Sequence, residues 1–152
     1  MILIVGGAFQ GKRDFAARRF MASSEGNPGE GAAGKDGFAD GREVSWEVFC
    51  KAKYACGLHS MIWRKLKAGQ DGEELEKVMA RQLVEGCPDR ILIMDEIGCG
   101  IVPADAFERQ YRELAGRIGC KLAAEADEVW RVAAGIGKRL RREKVRLPPT
   151  HR

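Results

Sequence analysis

A chain of 152 residues, 45% hydrophobic and 32% charged, describes a soluble globular protein with length enough for one domain and a real core. No apolar run approaches a membrane span. The first one is too short, and lacks the preceding basic region, for a signal peptide, so a cytoplasmic protein is expected. The net charge of +4 is uneven: residues 138–152 hold seven Lys/Arg and one Glu, which leaves −2 for residues 1–137.

The N-terminus organises the rest. Ile2 to Val5 is a continuous apolar run that stops at Gly6-Gly7, the pattern of a buried parallel strand entering a tight turn. Gly6, Gly7, Ala8, Phe9, Gln10, Gly11 and Lys12 match a phosphate-binding loop up to its last position. Glycines let the backbone N–H groups wrap phosphate oxygens, and the helix that follows adds its positive end. Lys12 is placed to reach the β- and γ-phosphates. Arg13 stands where such loops carry the Ser or Thr that binds Mg²⁺, and it cannot ligate a metal.

Asp14 to Met21 reads as the helix after the loop. Ser23 to Gly41, with six glycines and one proline, reads as a flexible Gly-rich loop. Glu43 to Phe49 fits either a short strand or a helix start capped by Ser45. Lys51 to Leu66 has the helical spacing Ala55, Leu58, Ile62, Leu66. His59 lies on that helix, where a lone histidine is expected to be a surface or packing residue. Ala68 to Gly72 is a turn, and Glu73 to Glu85 a second helix with Gly86 past its end.

Arg90 to Met94 is another buried strand, closed by Asp95-Glu96. An acid at that point can hold Mg²⁺, and a neighbouring Glu can orient a nucleophile. Gly98 to Pro103 bends into a long helix, Ala104 to Glu125, with Phe107, Tyr111, Leu114, Ala115, Ile118 and Leu122 as its apolar stripe. Asp127 to Ala134 reads as a third strand ending at Gly135, and residues 138–152 as a basic tail. Its cations have no interleaved aromatics, so nucleic-acid binding is not expected. Five cysteines (50, 56, 87, 99, 120), odd in number and without a C-x-x-C pair, read as buried thiols.

Strands alternating with helices imply a P-loop NTPase-like α/β fold: an open, mainly parallel sheet flanked by helices and reduced in its middle. It spans residues 1–137 as one domain. A ligand belongs at the carboxyl ends of the strands.

Ile4-Val-Gly-Gly-Ala8 with Gly11-Lys12 resembles the start of the adenosylcobinamide kinase/adenosylcobinamide-phosphate guanylyltransferase family. Asp95-Glu-Ile-Gly-Cys-Gly-Ile-Val-Pro103 is similar to that family's Asn-Glu-Val-Gly-x-Gly-Ile-Val-Pro signature. The likeness continues through Arg109, Tyr111-Arg112, Leu114 to Arg117, Leu122-Ala123, Ala126 to Val129 and Gly135-Ile136. The resemblance implies binding of GTP or ATP with Mg²⁺ and a homo-oligomer. It implies phosphorylation of the aminopropanol hydroxyl of an adenosylcobinamide-like substrate, then guanylyl transfer through a histidine. On this basis Gly6 to Arg13 bind nucleotide, Lys12 and Glu96 are catalytic, and Asp95 holds the metal.

The chain departs from the family in its middle. Residues 14–58 contain no His; His59 falls later than the family's histidine and His151 lies in the tail. The second strand has no clear counterpart, and the acid that ends the third is missing. Arg13 replaces the hydroxyl, and Asp95 and Gly119 each replace an Asn. The alternative is therefore a catalytically degenerate nucleotide-binding or partner subunit.

Overall fold

The computed structural model describes residues 1–21 and 36–141. Most of the 23–41 loop and most of the 138–152 tail lie outside the described residues. Six strands form one sheet in the order β2-β3-β4-β1-β5-β6. They are β1 (Ile2–Gly6), β2 (Ala39–Asp40), β3 (Tyr54–Cys56), β4 (Ile91–Asp95), β5 (Glu128–Ala133) and β6 (Ile136–Arg141). The first five run parallel, and β6 folds back antiparallel on β5. This is the expected mainly parallel α/β class.

The alternation along β1 and β4 divides the core. Leu3, Leu92 and Met94 face one side with helices α2 (Trp46–Lys51), α3 (Leu58–Lys67), α4 (Gly72–Gly86) and α5 (Ala106–Glu125). Ile4, Ile91 and Ile93 face the other with α1 (Lys12–Ala16) and the π-helical turn Ala17–Met21 that follows it. Successive residues of an extended strand point to opposite faces, so a strand buried on both sides reads as a continuous apolar run. The register Gly6↔Asp95 brings the loop after β1 and the acid ending β4 to the same level.

Four local expectations change. Residues 54–56 form β3 rather than part of a helix over Lys51 to Leu66. Ala55 pairs with Leu92 there, and Gly57, in the left-handed region at φ 72°, turns the chain into α3. The apparent second-strand gap is filled by β2, only two residues long and paired with β3. Residues 138–141 belong to the sheet as β6 rather than to a tail. The long helix begins at Ala106, because Asp105 caps it by accepting the Glu108 N–H at 2.9 Å. Of the two readings of 43–49, the helix holds, with the Ser45 hydroxyl accepting from Val48 N.

One buried group sits at odds with its surroundings. Arg90, just before β4, is wholly buried; its Nη2 donates to the Cys50 carbonyl while Nε and Nη1 have no partner among the described residues. Burial lowers its pKa.

Candidate functional site

A cleft of about 460 Å³ opens at the carboxyl ends of the parallel strands, lined by residues 8–14, Asp40, Arg42, Cys56, Gly57, His59, Ser60, Ile93 and Asp95. Its floor is the turn from β1 to α1. Gly6 is required by a close approach: a Cβ there would lie 2.3 Å from the Val132 carbonyl oxygen. Gly11 adopts φ 80° directly before α1, and an added Cβ would lie 3.1 Å from Gly135 Cα. Gln10 ties the turn to the β5–β6 hairpin, its side-chain oxygen accepting from Ala134 N and its carbonyl from Gly135 N, both at 2.8 Å. Phe9, at the tip, is fully exposed with φ 57°. A non-glycine residue in that region carries strain of the kind found at ligand sites.

The turn closes around Lys12, which is 6% exposed. Its Nζ donates to the Gly7 carbonyl at 2.5 Å and pairs with Asp95 Oδ1 at 2.7 Å. The cation therefore has a carboxylate partner and remains on the wall of the cleft.

His59 is the third member of this group. Asp95 N donates to its Nδ1 at 3.1 Å, and its Nε2 lies 3.6 Å from Asp95 Oδ2. Since Nδ1 accepts, the neutral ring carries its proton on Nε2. Burial pushes the His59 pKa down and Lys12 adds to the effect, with Asp95 opposing. Tyr111 of α5 fixes the start of α3 by donating to the His59 carbonyl at 3.0 Å.

The opposite wall belongs to the end of β2. Asp40 Oδ1 accepts from Arg42 N at 2.9 Å and Nε at 3.1 Å. Its Oδ2 accepts from Arg42 Nη2 at 2.7 Å and from Arg13 Nη2. Burial alone would raise the Asp40 carboxyl. The Arg42 and Arg13 hydrogen bonds overcome that and hold it well below the usual carboxylate range. Arg13 also pairs with Asp36 at 2.8 Å. Beside them, burial and the Asp40 charge push the Cys56 thiol up to about 12, so it stays protonated.

Lys12, Arg13 and Asp95 thus meet at the cleft with the turn that precedes them. Glu96 does not: as the residue after Asp95 it faces away, with Oε2 3.1 Å from Arg131 Nη2 and its N–H donating to the Gly6 carbonyl. Sequence reasoning passed over three of the residues now in place, His59, Asp40 and Arg42. The available signal was Gly57, a strand-to-helix turn directly before His59.

The donor set constrains any metal. Among the described residues no three of His, Cys, Asp and Glu gather closely enough to hold an ion. Asp95 is one carboxylate at the cleft, and Mg²⁺ commonly takes one or two carboxylates together with substrate phosphates. Among the described residues, Asp95 fits an ion that a phosphate ligand would bring with it better than a preformed metal centre. No helix among the described residues is long and apolar enough to cross a membrane.

The family model for cobinamide kinase / cobinamide phosphate guanyltransferase matches residues 58–140, more than half of the chain. The bifunctional adenosylcobalamin biosynthesis protein CobU of Salmonella typhimurium (strain LT2) is 46% identical over 56 residues, 36% of this chain and 31% of that protein. Its namesake in Escherichia coli (strain K12) is 45% identical over the same length. The aligned stretch spans about a third of the length of these relatives.

Proposed function

The chain belongs to the cobinamide kinase / cobinamide phosphate guanyltransferase family, and from that premise we propose that it binds GTP or ATP through residues 6–13. We propose that it transfers the γ-phosphoryl group to the aminopropanol hydroxyl of an adenosylcobinamide-like substrate, acting as a homo-oligomer. The observation that carries this reading is Lys12, buried in the β1–α1 turn and paired with Asp95 at the carboxyl ends of adjacent parallel strands.

The residues suggest how the step is served. A triphosphate competes with Asp95 for Lys12, which then balances charge on the transferring group. Asp95 would be the residue to hold a Mg²⁺ that came with the nucleotide, and such an ion would add to the neutralisation of the transferring group. The substrate oxygen bonds to the γ-phosphorus as the bond to the β-phosphate oxygen breaks. In a loose transition state the hydroxyl keeps its proton until late and then passes it to an oxygen of the transferred phosphoryl group or to water, so the cleft needs no strong base there. Glu96, turned to Arg131, supports the strand end from behind.

A second reading is a nucleotide-binding or partner subunit without turnover, favoured by Arg13 in place of the metal-binding hydroxyl. Incubation with γ-labelled GTP or ATP and adenosylcobinamide separates the two. Label on the cobinamide supports the kinase, and tight nucleotide binding with no transferred label supports the second reading.

A further inference from the structure

Arg90 lies at the end of the sheet away from the cleft, one residue before β4, whereas Asp95 closes that strand. Its guanidinium is wholly buried, and no carboxylate pairs with it among the described residues. Two cysteines flank it instead. Its Nη2 donates to the Cys50 carbonyl and its backbone N–H to the Cys87 carbonyl at 3.3 Å. The Cys87 and Cys50 thiols are also the groups that oppose the effect of burial on its charge.

The backbone brings these two cysteines together. Cys50 sits in the last turn of α2, and Cys87 is the C-cap of α4. Gly86 packs directly on Cys50: an added Cβ would lie 2.5 Å from the Cys50 carbonyl oxygen and 3.5 Å from its Cβ. The Trp46 indole N–H, donating to the Gln82 side chain at 2.9 Å, docks the same two helices. Both thiols are partly exposed, so a small molecule can reach them. The other three cysteines differ. Cys56 is buried beside Asp40 and stays protonated, and Cys99 and Cys120 are exposed rather than buried as the sequence suggests.

A buried cation without a counter-charge favours a thiolate beside it. We propose that Cys50 and Cys87, activated by Arg90, are a thiol pair that a low-molecular-weight disulfide of the glutathione type oxidises to an intramolecular disulfide. The Cys87 thiolate attacks one sulfur of the reagent, whose S–S bond breaks and releases one thiolate. The Cys50 thiolate then attacks Cys87 Sγ in the mixed disulfide and releases the second. The two cysteine protons end on the two released thiols; the protein loses two electrons and the reagent gains them. Cys50 comes second because burial disfavours its thiolate, with Arg90 and Lys65 opposing. The link closes residues 50–87 into a loop that carries β3, α3 and His59. It is independent of nucleotide binding at the other end of the sheet.

The test incubates the full chain with oxidised glutathione and digests it with trypsin without reduction. Peptides 43–51 and 82–90 each carry one cysteine, Cys50 and Cys87, and are expected to appear joined by mass. Cys50→Ser should stop at glutathione on Cys87, and Cys87→Ser should leave Cys50 largely unmodified. Arg90→Met should slow the joining by about fivefold or more, while Arg90→Lys, which keeps the charge, should stay nearer the parent. The joined chain should melt above the reduced one, a shift absent from both serine variants. Thermal melts also check that every variant folds. Peptides 43–51 and 82–90 that stay apart while Cys99 and Cys120 take up glutathione overturn the pair. Joining at the parent's rate in both Arg90 variants overturns the activation by Arg90.

Discussion

His59 engages Asp95 twice, accepting its backbone N–H at Nδ1 and facing its carboxylate with Nε2. The two residues are 36 positions apart, and their contact joins the start of α3 to the end of β4. An imidazolium would break the first contact, because Nδ1 would then carry a proton opposite an N–H. Stability should follow that proton. Burial holds the folded pKa below 6.5, with Lys12 and Arg42 lowering it and Asp95 and Asp40 opposing. Below about pH 6.5 the unfolded chain therefore binds the more protons, and stability falls as pH drops toward the folded pKa. Thermal melts at about pH 5 and pH 8 should show a larger loss for the parent than for His59→Gln. Equal losses would contradict the paired, neutral ring.

Lys12 and Lys51 are both ion-paired, in very different places. Lys12 is enclosed by the turn, whereas Lys51 meets Glu47 at the surface, with side chains 72% and 78% exposed. Charge-assisted contacts are worth about 1.5–3 kcal/mol when well placed, and exposed pairs little. Lys12→Ala should therefore cost triphosphate affinity by that amount and Lys51→Ala almost none. Equal affinities for the two variants in a titration would remove the phosphate-loop assignment.

Arg90 is a cation in the core with two N–H groups that lack partners among the described residues. Such a group contributes little, and an apolar residue of similar length can replace it at no loss. Arg90→Met should unfold at the parent's midpoint in denaturant or above it, by up to about 2 kcal/mol. A variant less stable by more than about 2 kcal/mol would mean that the guanidinium is satisfied in a way the described residues do not reveal.

The elements that could be read from sequence are the ones built on long patterns. β1 and β4 are continuous apolar runs buried on both faces, and the α5 stripe from Tyr111 to Leu122 repeats over several turns. β2 and β3 have two and three residues, too few for an alternation to register, and the three-residue step from Ala55 to Leu58 mimics a helix. β6 was hidden by its chemistry. An edge strand tolerates Lys138, Arg139 and Arg141, and such charges blunt edges, yet they also read as a tail. In the site, the Lys12–Asp95 pairing was foreseeable from two strand ends of one parallel sheet. His59 and Asp40 were harder to read, since His59 meets Asp95 36 positions on and Asp40 meets Arg13 27 positions back, while the Arg42–Asp40 contact is local but matches no motif.

Arg13 occupies the hydroxyl position of the loop, and its guanidinium is committed to Asp36 and Asp40. The loop therefore offers Mg²⁺ no ligand. Triphosphate affinity of the parent should differ little between Mg²⁺ and EDTA. Arg13→Ser should gain Mg²⁺ dependence, while Arg13→Ala, which breaks the same ion pairs without adding an oxygen, should not. Asp95→Asn on top of Arg13→Ser should cancel the gain. A parent that needs Mg²⁺ as strongly as Arg13→Ser would show that position 13 does not limit metal binding.

His59 also decides what can be expected of guanylyl transfer. It lines the cleft although it falls later in the sequence than the family's histidine. A nitrogen that attacks the α-phosphorus of GTP needs a free lone pair. The Nδ1 lone pair accepts the Asp95 N–H, and Nε2 carries the ring proton. Forming a phosphoramidate would require Nε2 to surrender that proton to Asp95, whose carboxylate already pairs with Lys12 at 2.7 Å. The lowered pKa keeps the ring neutral but leaves it in the wrong tautomer for attack. Intact-mass measurement after incubation with GTP and Mg²⁺ should thus find no added GMP. An adduct that maps to His59, and disappears in His59→Gln, would mean that nucleotide binding draws Lys12 away, frees Asp95 to take the proton and turns the ring into the nucleophile.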